Sequence, residues 1–123
     1  MVKVNEFKKK INKILCNKIE FLGNNLDKII LQLSEIKAQK IYSWINLVYS
    51  NEIRPIRSTI KKPYKKWTTY ELLPFRKQLT IEGIPYRILL IKIKNQYYIE
   101  FHIGKHKYYD TLRNNLGLTK KKY

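Results

Sequence analysis

Apolar residues recur at intervals of three and four along the first fifty positions of the chain. Phe7, Ile11, Ile14, Leu15, Ile19 and Leu22 form one such series, which is the spacing of a single helix face. Asn5 stands ahead of it as a capping residue, Glu6 follows in the first turn where the helix dipole favours an acid, and Gly23 offers a stop. Val2 and Val4 suggest a very short edge strand before it. The second series is Leu26, Ile29, Ile30, Leu33, Ile36, Ile41, Trp44, Ile45 and Val48, capped by Asn24 or Asn25 with Asp27 in its first turn. Together they predict an αα-hairpin over roughly residues 5–22 and 25–50.

Residues 51–70 lack either period. Arg54-Pro55-Ile56-Arg57 and Lys61-Lys62-Pro63-Tyr64-Lys65-Lys66-Trp67 mix cations, prolines and aromatics. Proline removes a backbone donor and breaks helix. The stretch predicts a long basic loop, with a short strand near 57–60, and its length favours a binding role over a bare connection.

From residue 71 the pattern becomes that of strands. Phe75–Ile81 and Tyr86–Ile93 flank a turn at Glu82-Gly83-Ile84-Pro85, and Lys94-Asn95 turns into Tyr97–Ile103. Strict alternation there puts Tyr97, Ile99, Phe101 and Ile103 on one face and Tyr98, Glu100 and His102 on the other. Ile88-Leu89-Leu90-Ile91 is apolar on both faces, as a central strand is. The expected fold is α+β, a single domain with an N-terminal helical hairpin packed on a three- to four-stranded antiparallel sheet. The elements are the hairpin (5–50), the basic loop (51–70), the meander (71–110) and a basic tail (111–123).

Charge changes this picture more than composition does. The 123 residues hold 26 Lys and Arg against 9 Asp and Glu, a formal net charge of +17. Residues 1–52 carry nine basic and five acidic side chains, and residues 53–123 carry seventeen and four. A compact chain this basic repels itself and is relieved by a polyanion, nucleic acid first and an acidic protein second. Cys16 is the sole cysteine, so no internal disulfide forms, and it reads as a small core residue in a reducing compartment. No apolar run reaches the length of a spanning helix and no apolar segment follows the basic start, so a cytoplasmic protein without a membrane partner is expected.

Two segments resemble the RelE superfamily of bacterial toxins, and within it the HigB branch. Tyr86-Arg87 followed by the apolar Ile88–Ile91 resembles the family's second-last strand. The run Tyr97 to Asp110 resembles the HigB last strand and its Gly-Thr-His-x-x-Tyr-Asp continuation, with Gly104, His106, Tyr109 and Asp110 at matching spacing. The resemblance covers about residues 75–118. It implies a RelE-like fold and the toxin of a type II toxin–antitoxin system, a metal-independent endoribonuclease without cofactors. Its partners would be mRNA, the ribosome and a cognate antitoxin, a small helix-turn-helix protein. Where RelE relatives carry lysines on the preceding strand, this chain has Arg76 and Lys77 at its start and Gln78 and Thr80 beyond, so either the register shifts by one, which flips faces, or the 61–66 lysines supply the charge.

Such cleavage needs a base for the ribose 2′-OH, an acid for the 5′-oxygen and cations for the phosphorane. Histidine suits the acid and base roles, and the chain has two, His102 and His106. On the resemblance, His106 is the acid or base, Tyr109 its partner or the residue that orients the scissile nucleotide, Arg87 the phosphate clamp, and Asp110 a holder of His106 or a cap of the next turn. His102 is expected to face solvent or the helices, as a reserve acid or base. Lys61, Lys62, Lys65, Lys66 and Trp67 suit RNA backbone contacts and base stacking, and Arg76, Lys77, Lys105 and Lys107 add charge. The rival readings are a gyrase-poisoning toxin of the ParE branch, a non-enzymatic RNA- or DNA-binding protein of phage or plasmid origin, and an inhibitor of an acidic protein surface.

Overall fold

The computed structural model describes residues 2–56, 63–67 and 71–117. It contains α1 (Val4–Leu15), β1 (Glu20–Leu22), α2 (Leu26–Leu31), α3 (Glu35–Tyr49), β2 (Leu72–Ile81), β3 (Ile84–Ile93), β4 (Tyr98–Gly104) and α4 (His106–Asn115). The fold is α+β, with strands in the order β1-β4-β3-β2. The sheet is mixed rather than purely antiparallel, because β1 runs parallel to β4 while β2–β3 and β3–β4 are antiparallel.

Both expected helices are shorter than the apolar pattern implied. α1 starts at Val4, so the Val2–Val4 strand is absent and Lys3, not Asn5, is the N-cap. It ends where Cys16 turns left-handed at φ 57° and the Asn17 amide bonds back to the Asn12 carbonyl. Cys16 is therefore an exposed cap rather than a core residue. Ile19 and Leu22 keep a helical spacing but belong to the extended segment: the Asn12 side chain accepts from the Ile19 amide, and Phe21 sits opposite Phe101. The second helix breaks at Ser34, whose hydroxyl accepts from the Lys37 amide and caps α3. The apolar spacing runs through that break in phase, so periodicity alone cannot mark it.

The sheet divides two cores. On one side α1, α2 and α3 bury Phe7, Ile11, Ile30, Ile41 and Ile45 against Phe75, Ile88, Leu90, Phe101 and Ile103. On the other, Leu89, Ile91 and Ile93 lie under Tyr109, Leu112 and Leu116 of α4 and under Tyr64. Helix α4 takes the end of the expected meander and the start of the expected tail, with its Tyr109-Leu112-Leu116 stripe as the sequence signal, and residues 118–123 of that tail lie outside the described residues. A bulge between Ile91 and Lys92 also breaks the expected alternation of the last strand. Tyr98, Phe101 and Ile103 face α1–α3, whereas Ile99 belongs to the α4 core. Among the described residues no helix is long and apolar enough to cross a membrane.

Gly23 does not stop a helix; it lets the chain pass β4. Its φ is +155°, and a Cβ there would stand 2.2 Å from the Ile103 carbonyl oxygen. Gly23→Ala must shift backbone against backbone, so it is expected to lower unfolding free energy by about 2 kcal/mol, measured by urea denaturation.

Candidate functional site

The chemical centre of the molecule is a charged group inside the second core. Glu100, on β4, is 2% exposed, and its neighbour on the same face, His102, is 3% exposed. An ionised carboxylate at such a position is costly unless its oxygens are bonded. Three partners bond it. The Tyr64 hydroxyl donates to Oε1 at 2.7 Å, the His102 Nε2 lies 2.7 Å from the same oxygen, and the Lys65 ammonium donates to Oε2 at 2.6 Å. Burial alone raises the Glu100 pKa, but these hydrogen bonds outweigh it and bring the carboxyl from 4.5 to about 2.

Tyr64 and Lys65 reach Glu100 because residues 64–67 form a tight turn. Tyr64 and Trp67 pair as an isolated bridge, the Trp67 amide donates to the Tyr64 carbonyl at 2.8 Å, and Lys65 has φ 51°. The basic stretch expected to be a loop thus lays this turn over the sheet. Burial, reinforced by the Glu100 bond and charge, pushes the Tyr64 hydroxyl far above its ordinary range and keeps it a donor. Lys61 and Lys62, also expected to contact RNA, and the expected strand at 57–60 lie outside the described residues.

An ionised Glu100 can only accept, which fixes the protons along the chain. Nε2 of His102 carries a hydrogen toward Glu100, so in the neutral ring Nδ1 accepts the proton of the Tyr108 hydroxyl, 2.7 Å away. Tyr108 is half-buried in the first turn of α4, and burial together with the Glu100 charge raises its pKa. Its ring lies against Gly104, where a Cβ would come within 2.6 Å of Cδ2. Glycine at 104 therefore makes room for the ring that meets His102. His102 faces neither solvent nor α1–α3, contrary to expectation; both of its ring nitrogens are engaged under α4.

Tyr108 is the wall between two cavities. One, of about 580 Å³, is lined by His102, Tyr64, Lys65, Asn24, Thr111 and Asn115 among others. The other, of about 410 Å³, includes Lys28, Lys105, Lys107 and Tyr86, with Glu82 as its acid. Lys105 and Lys107 are exposed around the N-terminus of α4, which has no side-chain cap and no acid in its first turn. That end of the helix favours negative charge.

The other expected site residues are arranged differently. His106 is 65% exposed, and its Nε2 lies 2.9 Å from Asp110 Oδ2, one turn along α4. Tyr109 is 2% exposed, its hydroxyl has no hydrogen-bond partner among the described residues, and the guanidiniums of Arg87 and Arg113 each lie 5.8 Å from its ring centre. The structure thus brings Arg87 and Tyr109 together and leaves His106 with Asp110 on the outer side of the helix. Arg76 shares the Arg87 face, because Gln78 pairs with Arg87 and side chains alternate along β2. Lys77 points to the opposite face. Among the described residues no three His, Cys, Asp or Glu side chains gather as metal ligands would.

Sequence reasoning missed Tyr108, Glu100 and Tyr64 as members of one group. The only sequence signal was an acid and a histidine on one face of a strand that is otherwise apolar. Comparison with protein-family models, with curated proteins and with solved structures finds no match to the chain.

The depressed Glu100 pKa makes stability depend on acid. Its contribution is complete above about pH 5 and is lost as pH falls from 4.5 toward 2, because the unfolded chain takes up the proton first. Wild type is expected to lose on the order of 3 kcal/mol more than Glu100→Gln over that window, read from urea midpoints at each pH.

Proposed function

We propose that the protein is a metal-independent endoribonuclease that cuts RNA through the Tyr108–His102–Glu100 chain. The observation that carries this reading is the 2.7 Å contact of the Tyr108 hydroxyl with a carboxylate-backed imidazole, at the wall between a cavity of mixed polar and apolar lining and one that holds three lysines. Nucleophile or proton carrier, base and orienting acid in that order are the parts of an acid–base centre.

The reaction moves one proton out and one proton in. The 2′-hydroxyl gives up its proton as its oxygen bonds to phosphorus, and the 5′-oxygen leaves with a proton, giving a cyclic phosphate and a free 5′-hydroxyl. Tyr108 takes the proton of the 2′-hydroxyl while passing its own to Nδ1 of His102, Glu100 stabilises the imidazolium through Nε2, and the imidazolium returns that proton through the Tyr108 hydroxyl to the departing 5′-oxygen. Lys105 and Lys107 offset the charge that gathers on the phosphorane. Residues two apart on a helix do not face each other, so His106 and Tyr108 serve different surfaces. This reading therefore gives the tyrosine role to Tyr108, one position before the match at Tyr109. It keeps the finer RelE-like fold, the toxin–antitoxin context, the mRNA and ribosome substrates and the antitoxin partner as parts of the same proposal, supported by the HigB-like segment and the net charge of +17.

A non-enzymatic nucleic-acid-binding protein is the second reading, favoured by the burial of His102, which suits a structural anchor. Purified protein incubated with mRNA, with and without ribosomes, separates the two. Wild type is expected to leave cyclic-phosphate ends and to arrest growth when induced in cells. Tyr108→Phe and His102→Ala are expected to slow cleavage by about 10²- to 10⁴-fold, and His106→Ala by less than about tenfold. The opposite order would move the centre to His106, Tyr109 and Arg87, and intact RNA under both conditions would leave the binding reading.

A further inference from the structure

A third cavity opens on the far side of the 64–67 turn, away from Tyr108. It measures about 540 Å³ and is lined by Lys18, Lys65, Lys66, Trp67, Tyr97 and the acids Glu20 and Glu100, with parts of β4. The volume is that of a cleft for a small planar ligand or a stretch of polymer. Two aromatic rings meet in it. Tyr97, 46% exposed, stands at the turn before β4, and Trp67 contacts it edge to face at 6.5 Å and 73°.

An edge-to-face pair leaves ring surface free for a third planar group. On Trp67 the Lys66 ammonium lies over the ring at 4.9 Å. Tyr97 is therefore the ring that remains for stacking. Its position is held from behind: the Ile93 amide donates to the Tyr97 carbonyl at 2.9 Å, in a turn where Asn95 has φ 61°. Trp67 and Lys66 are held from the other side, by the turn that Tyr64 and Lys65 fasten to Glu100. Both walls are thus pre-arranged, which reduces the ordering cost of binding.

The charges in the groove select the ligand. Glu100 is matched by Lys65 at 2.6 Å, and Lys18 and Lys66 outnumber the exposed Glu20. Cations flanking a free aromatic face suit an unpaired base with its phosphates. A duplex keeps its base faces covered, and carboxylate side chains by themselves leave the ring unused.

We propose that this groove binds single-stranded RNA, with one base stacked on Tyr97 and adjoining phosphates on Lys18 and Lys66. The inference rests on the RNA-binding half of the reading above and not on cleavage. It gives the substrate a second point of attachment, across the 64–67 turn from Tyr108, so the bound RNA would run past both sides of that turn.

The test uses a short fluorescein-labelled 2′-O-methyl RNA strand, which lacks the attacking hydroxyl and cannot be cut. Fluorescence anisotropy is expected to show Tyr97→Ala weakening binding roughly 10- to 100-fold, with Tyr97→Phe binding as wild type does. Lys18→Gln is expected to reduce the slope of affinity against salt by about one charge. Thermal melts of Tyr97→Phe and Lys18→Gln provide folded controls in case Tyr97→Ala loosens the turn. Wild-type affinity in a folded Tyr97→Ala overturns the proposal, as does an equal loss on a duplex of the same sequence. A Tyr97-dependent preference for the DNA strand overturns the assignment to RNA. Wild type that ignores the strand and binds polyglutamate instead overturns it in favour of an acidic protein. Tyr97-dependent binding by a protein that cuts no mRNA supports the groove and removes only the nuclease reading.

Discussion

A carboxylate buried inside a core needs partners, and Glu100 obtains three of them, from two separate parts of the chain. Tyr64 and Lys65 come from the basic stretch, His102 from the same strand, and Tyr108 joins through His102 from the last helix. Removing Tyr64 or His102 leaves the Glu100 carboxylate short of a bond where it is 2% exposed, so these parts stabilise one another as a set. The turn at 64–67 is held on the sheet by this charge and by apolar packing together, since Tyr64 is buried in the core under α4, Trp67 packs against that core and Lys65 is the ion-pair partner of Glu100.

That constraint organises the functional surface. Fixing the Glu100 charge fixes the His102 tautomer, which in turn aims the Tyr108 hydroxyl at Nδ1. The same contact fastens the turn that separates the cavity beside Tyr108 from the groove beside Tyr97. Lys65 touches both spaces, with its charge already committed to Glu100. Among the described residues, cations that can meet a phosphate stand around the rim: Lys28, Lys105 and Lys107 beside α4, and Lys18 and Lys66 across the turn.

The two histidines illustrate how burial divides roles that composition leaves equal. His106 is in open water beside Asp110, where an exposed pair contributes little to stability. His102 is enclosed, and each of its nitrogens has one neighbour. Tyr108 and Tyr109 divide in the same way. One residue of helix rotation, about 100°, sends Tyr108 to His102 and Tyr109 beneath Arg87 and Arg113.

The sequence by itself determined the α+β class, the three antiparallel strands, the apolar central strand and the concentration of charge after residue 53. Each follows from local periodicity or from counting, and both are properties of the chain before it folds. It also singled out Arg87 as a phosphate clamp and Lys65, Lys66 and Trp67 as RNA contacts, without any sign that Lys65 pairs with Glu100. Only the tertiary structure decided that Glu20–Leu22 is a strand, because a parallel pairing with β4 overrides a helical spacing of Ile19 and Leu22. Only it showed the bulge at Ile91/Lys92 that sets the face of each residue in β4, since one extra residue reverses alternation beyond it. And only it joined Tyr64, Glu100, His102 and Tyr108, which are up to 44 positions apart. Their association depends on which side of the sheet a turn and a helix come to rest, and no spacing along the chain encodes that.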